Sequence, residues 1–109
     1  IEVGIDIEKQ RSKIIKIAPK FVGYETFYLN KNDPSQIKKL TWVWCTKEAL
    51  YKLYGTPGIN FKKHFMVLPF STESNNTIAW IVRGHHKLKF IATFVEFEGF
   101  GCVITEPEI

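Results

Sequence analysis

Two pairs of charged residues have the spacing to do chemistry. Asp6 and Glu8 are separated by one residue in the segment Gly4-Ile5-Asp6-Ile7-Glu8. Side chains alternate along a strand, so the two carboxylates share a face and can be aimed at a single point. Such hard oxygen donors suit magnesium, which combines a few carboxylates with substrate phosphates and water. Glu48 and Lys52 stand four apart in the segment Trp44-Cys45-Thr46-Lys47-Glu48-Ala49-Leu50-Tyr51-Lys52. On a helix they share a face, a carboxylate beside a cation. Spacing alone leaves plainer readings open. Acidic residues two apart are common on exposed strand faces, and Glu and Lys four apart form an ordinary surface ion pair contributing about 0.3–0.5 kcal/mol.

The elements that must position these residues are legible in outline. Glu2 to Glu8 alternates Val3, Ile5 and Ile7 with Gly4, Asp6 and Glu8, the period of a half-buried strand. Pro34 to Tyr54 is the strongest helix, with Asp33 as N-cap, Pro34 at the first position and Gly55 just past the end. Leu40, Trp44 and Tyr51 form one stripe on it, Val43, Leu50 and Tyr54 another beside it, and Trp44 reads as packing. Short helices over Ile14 to Phe21 and Gly23 to Asn30 are weaker expectations. Thr77 to Val82, Leu88 to Phe97 and Phe100 to Thr105 read as an antiparallel meander with turns at Gly84 and Gly99. The expected fold is α+β, an antiparallel sheet packed against one long helix.

The pattern around the charged pairs is more specific than the pairs themselves. Gly4-Ile5-Asp6-Ile7-Glu8, followed about 35 residues on by Trp44, Lys47, Glu48, Ala49 and Lys52, resembles the paired signature of the Sfp-type 4'-phosphopantetheinyl transferases, G-I-D-I-E and W-x-x-K-E-[AS]-x-x-K. Arg11 matches an arginine often found past the first motif, and Phe21 with Glu25 resembles the F-x-x-x-E that precedes the long helix. Trp44 favours the Sfp type over the shorter acyl-carrier-protein synthases, whose second motif usually begins with Phe. The Gly55-Thr56-Pro57-Gly58 loop is one residue longer than the usual G-x-G.

The resemblance implies a holo-[acyl-carrier-protein] synthase type 4'-phosphopantetheinyl transferase. Such an enzyme moves the phosphopantetheine group of coenzyme A to a serine of an acyl or peptidyl carrier protein and releases 3',5'-ADP. Asp6, Glu8 and Glu48 would hold Mg2+ with the coenzyme A pyrophosphate. Glu48 would also take the serine proton, and Lys52 and Lys47 would neutralise phosphate charge. Residues 1–109 would be a single domain, one half of a pseudodimer whose N-terminal half is missing. An exposed apolar patch or self-association is the expected consequence. The alternative is a non-catalytic carrier-protein-binding or truncated module of the same fold.

Composition bounds the remaining possibilities. A chain of 109 residues can bury roughly 65% of its unfolded surface, enough for a core. No apolar run reaches the roughly 18 residues that cross a bilayer, and no secretion signal begins the chain, so a cytoplasmic protein without a membrane partner is expected. Cys45, expected half-buried on the helix, and Cys102, in a strand, lack metal-ligand spacing and read as free thiols. The net charge is +4, with Lys9, Arg11, Lys13, Lys16 and Lys20 clustered. That cluster is either a solvated face or a surface for an acidic partner such as a carrier protein. A nucleic-acid partner is not expected, because basic and aromatic residues are not interleaved on one sheet face. His64, His85 and His86 have no partners at catalytic spacing.

Overall fold

The computed structural model describes residues 2–108. The chain folds as an α+β unit around a five-stranded antiparallel sheet of order β1-β5-β4-β3-β2. Its strands are β1 (Gly4–Lys9), β2 (Phe65–Val67), β3 (Asn76–Arg83), β4 (His86–Phe97) and β5 (Phe100–Pro107). The helices are α1 (Ile14–Ile17), α2 (Gln36–Tyr54) and α3 (Phe61–His64), with 3-10 turns over Ala18–Lys20 and Tyr24–Phe27. Neither β2 nor α3 was expected from the sequence. No helix is long and apolar enough to cross a membrane among the described residues.

Helix α2 starts two residues later than the sequence suggests. Asp33 does cap, but it caps a turn: its Oδ1 accepts from the Ser35 amide at 2.8 Å and its carbonyl from Gln36. Past that turn α2 is buried on almost every side, with Leu40, Trp42, Val43, Cys45, Ala49 and Leu50 all at 3% exposure or less. Cys45 is therefore wholly buried rather than half-buried, and Tyr51 and Tyr54 lie at the exposed end of their stripes. The helix is a central rod between two layers. One face meets the sheet, where Trp42 stacks on Phe94 at 4.5 Å and packs with Ala92 and Val103. The other meets Ile14, Phe21 and Val67 under the short helices. Its buried hydroxyls stay satisfied locally, Thr41 Oγ1 donating to the Ile37 carbonyl and Thr46 Oγ1 to that of Trp42, each at 2.7 Å.

Strand β1 keeps the alternation read from the sequence and turns its polar face inward. Gly4 and Asp6 face inward onto α2, whereas Val3, Ile5 and Ile7 stand 45%, 50% and 49% exposed on the outer face. Register continues that outer face across the sheet. Ile5 pairs with Ile104, Ile7 with Cys102, and Val95 with Cys102 from the other side. Gly4 explains the inward choice. A Cβ there would lie 2.2 Å from the Ala49 carbonyl oxygen and 2.8 Å from Thr105 Oγ1. Only glycine lets β1 and α2 approach this closely.

Gly4→Ala is accordingly expected to force β1 off α2, lowering stability by about 1–3 kcal/mol. Thermal unfolding followed by circular dichroism checks this, and an unchanged midpoint would show that the spacing of β1 and α2 is adjustable.

Candidate active site

The close contact of Gly4 with Ala49 sets the site, because Asp6 lies two residues beyond Gly4 on the same face of β1 and Glu48 immediately precedes Ala49 on α2. Asp6 is 4% exposed. Its Oδ1 accepts from Lys52 Nζ at 2.9 Å, and the same ammonium donates to the Ile5 carbonyl at 3.0 Å. Its Oδ2 is buried with no hydrogen-bond partner, an unusual state for a carboxylate oxygen.

Glu8 and Glu48 both feel this charge. Burial first, and then the Asp6 carboxylate, hold Glu8 above the usual carboxylate range, with Glu48 adding to the effect. The Trp44 indole, facing Glu8, pulls the other way. Glu48 is raised by burial and by Asp6, and drawn back by Lys52. The Asp6 hydrogen bond in turn raises Lys52. The sequence-expected residues Asp6, Glu8, Glu48 and Lys52 thus form one electrostatic cluster, with a surplus of negative charge that a cation would relieve.

Among the described residues no three His, Cys, Asp or Glu side chains already surround a point at coordinating geometry. Lys52 sits where an ion would compete for Asp6. The donor set still fits magnesium, whose octahedron is usually completed by waters and substrate phosphates rather than by a full protein cage. The unpartnered Asp6 Oδ2 is the atom best placed to be its first ligand.

Beside Glu8 opens a cavity of about 250 Å³ lined by Lys9, Arg11, Lys13, Thr41 and Trp44 among others. Part of the basic cluster thus borders Glu8. Lys47 lies elsewhere. Its ammonium is fully buried and donates to the Phe21 carbonyl at 2.7 Å, Glu25 Oε1 at 2.8 Å and the Phe61 carbonyl at 3.1 Å. The expectation that Lys47 neutralises phosphate therefore does not match its position, because every donor direction of the ammonium is used inside the protein.

A family model described as the 4'-phosphopantetheinyl transferase superfamily matches residues 2–100. The chain belongs to the 4'-phosphopantetheinyl transferase superfamily. A search of curated proteins finds no match to it. Membership brings phosphopantetheine transfer in general, with coenzyme A as the family's substrate, carrier proteins as acceptors and Mg2+ as the usual metal.

Two features escaped the sequence, one at the carboxylates and one away from them. Trp44 does pack as expected, 5.1 Å from Phe21 and 5.5 Å from Phe61 between ring centroids, yet its indole also faces Glu8. The side chain of Arg83 pins the longer Gly55–Gly58 loop through Thr56 Oγ1 at 2.8 Å and the Pro57 carbonyl at 3.0 Å. No spacing rule links an arginine at the end of β3 to that loop. His64 Nδ1 accepts from the Asn60 amide at 2.8 Å, within the turn that starts α3.

The raised carboxylates predict a stability effect with a definite sign. A carboxylate whose folded pKa is raised destabilises the fold once ionised, and this penalty disappears as pH falls through the folded pKa. Glu8→Gln is thus expected to raise the thermal midpoint of the metal-free protein at neutral pH, with the gain over wild type shrinking in acid. A midpoint lowered at neutral pH would mean that Glu8 is held by favourable contacts instead.

Proposed function

We propose that the chain transfers the 4'-phosphopantetheine group of coenzyme A to a serine of an acyl or peptidyl carrier protein, in a magnesium-dependent reaction that releases 3',5'-ADP. The observation that carries the reading is the buried, unpartnered Asp6 Oδ2 beside Glu8 and Glu48, with Lys52 at the edge. A purely structural or carrier-binding module gains nothing from burying one carboxylate beside two others. The catalytic reading explains that arrangement, and the non-catalytic alternative leaves it without a purpose.

Magnesium held by Asp6, Glu8 and Glu48 would polarise the pyrophosphate of coenzyme A. The serine oxygen forms its bond to the β-phosphorus while the bond from that phosphorus to the bridging oxygen breaks. The bridging oxygen leaves on 3',5'-ADP, and Glu48 receives the serine proton. Burial, which raises Glu48, makes it a better base than a fully solvated carboxylate. Lys52, with its side chain 52% exposed, can reach phosphate oxygens, and Arg11 and Lys13 at the neighbouring cavity add positive charge. Lys47, buried and fully bonded, has no part in holding phosphate. The exposed cations of the Lys9 to Lys20 segment suit an acidic carrier.

We also read residues 1–109 as one domain that works as half of a two-part assembly of the Sfp kind. Ile5, Ile7, Val95 and Phe97 stand 45–50% exposed along the outer face of the sheet. Register joins them through Ile104 and Cys102 into one patch, a surface of the type that marks an interface. The second half, or another copy, would cover it.

Two measurements test these readings. In steady-state transfer to an apo carrier, Glu48→Gln in the assembled enzyme is expected to lower kcat on the order of 10²–10⁴-fold. Lys52→Ala should instead raise the KM for coenzyme A. Retention of more than about a tenth of the wild-type rate by Glu48→Gln rules it out as the base. Sedimentation of the 109-residue chain is expected to show self-association that Ile7→Glu weakens, and a monomer at all concentrations contradicts the two-part assembly.

A further inference from the structure

The Phe21 and Glu25 motif and the buried Lys47 have no place in the transfer chemistry, yet they meet. Both charged side chains are fully buried. Besides bonding Lys47, Glu25 takes up two backbone amides, Val67 through Oε2 at 2.8 Å and Gly23 through Oε1 at 3.2 Å. Lys47 takes up the carbonyls of Phe21 and Phe61. One ion pair thus gathers backbone groups from the turn before α2, from α3 and from β2, and ties all of them to a single point on α2.

Two charges removed from water are a poor source of stability compared with apolar side chains of the same volume. What they add is direction, since hydrogen bonds fix an orientation that dispersion contacts do not. The direction is set next to the site. Lys47 precedes Glu48 in the chain and lies one helical turn beyond Trp44. Phe21 and Phe61 are each gripped twice, their carbonyls by Lys47 and their rings by Trp44. On the opposite side α2 rests on β1 through Gly4 and Ala49. The helix can neither roll nor slide without breaking one of these contacts.

We infer that the buried Glu25–Lys47 pair is a positioning device that holds Trp44 and Glu48 on α2 in register with Glu8 and Asp6 on β1, so that the carboxylates can share one divalent ion. The inference rests on the proposed function for the identity of that ion. Glu25 and Lys47 act through Glu48 and Trp44 and touch neither ion nor substrate.

The test is binding of Mn2+, a paramagnetic substitute for Mg2+, to the 109-residue chain in the presence of coenzyme A, followed by electron paramagnetic resonance. Two variants carry it. Glu25→Gln keeps the side-chain length and an acceptor for the Val67 amide. Glu25→Gln with Lys47→Met also removes both charges, leaving no unpaired buried ion to unfold the chain. Both are expected to unfold cooperatively yet bind Mn2+ at least about fivefold more weakly than wild type, a loss smaller than the roughly 10–100-fold found when a partner bonded directly to a metal ligand is removed. The double variant should be no worse than about twice the single, because the pair works as a unit. Weakening of less than fivefold in the folded variants overturns the inference while leaving the metal reading intact. Wild type that binds no Mn2+ removes the metal reading and the inference together. If instead the double variant alone loses affinity for coenzyme A, with Mn2+ binding unchanged in both, Lys47 acts on phosphate and the positioning role is wrong.

Discussion

A carboxylate inside a protein needs a partner for each oxygen, and Asp6 has one for only one of them. The cost is shared by Glu8 and Glu48, which burial first and then the Asp6 charge hold above the ordinary carboxylate range. Most of what surrounds the site can be understood as the means of keeping this unfavourable group in place. The sheet fixes β1 through β5, and Gly4 lets it lie directly on α2. Lys52 neutralises the one oxygen it can reach. The Trp44 indole offsets part of the pressure on Glu8. The stability given up here resides in the apolar contacts of α2, which is buried against both layers of the fold.

The same constraint explains why the sheet exposes apolar side chains. Turning Asp6 inward turns Ile5 and Ile7 outward, since neighbours on a strand must face opposite ways. A strand that served only stability would be inverted, with isoleucine inside and carboxylates in water. The chain instead accepts an apolar outer face, which a second half or a second copy can cover. The carboxylate cluster and the exposed apolar patch are in this sense two sides of one strand.

How much was legible in the sequence follows from the range of the interactions. The period of β1 and the helical phase of Glu48 and Lys52 are local properties, and they placed the four charged residues on the right faces. Which face of β1 turns inward is not local. It depends on the glycine contact with Ala49, nearly half the chain away. The buried state of Cys45 follows from a helix enclosed by two layers, where a stripe of apolar residues no longer distinguishes inside from outside. Lys47 was read as a phosphate partner because the resemblance of Trp44 to Lys52 to W-x-x-K-E-[AS]-x-x-K implied one. Its side chain points about a quarter turn away from Glu48, toward a glutamate in an earlier 3-10 turn. Strand β2 and helix α3 are too short to carry a period at all.

Asp6 and Glu48, brought together by β1 and α2, are proposed to share one magnesium ion with the coenzyme A pyrophosphate. A crystal structure of the chain with Mg2+ and coenzyme A tests this most directly. One octahedral ion is expected about 2.1 Å from Asp6 Oδ2 and from a Glu48 oxygen, its other positions filled by pyrophosphate and water, with Lys52 on a phosphate oxygen. Coenzyme A bound with its pyrophosphate away from these carboxylates, or an ion held by only one of the two, would contradict it.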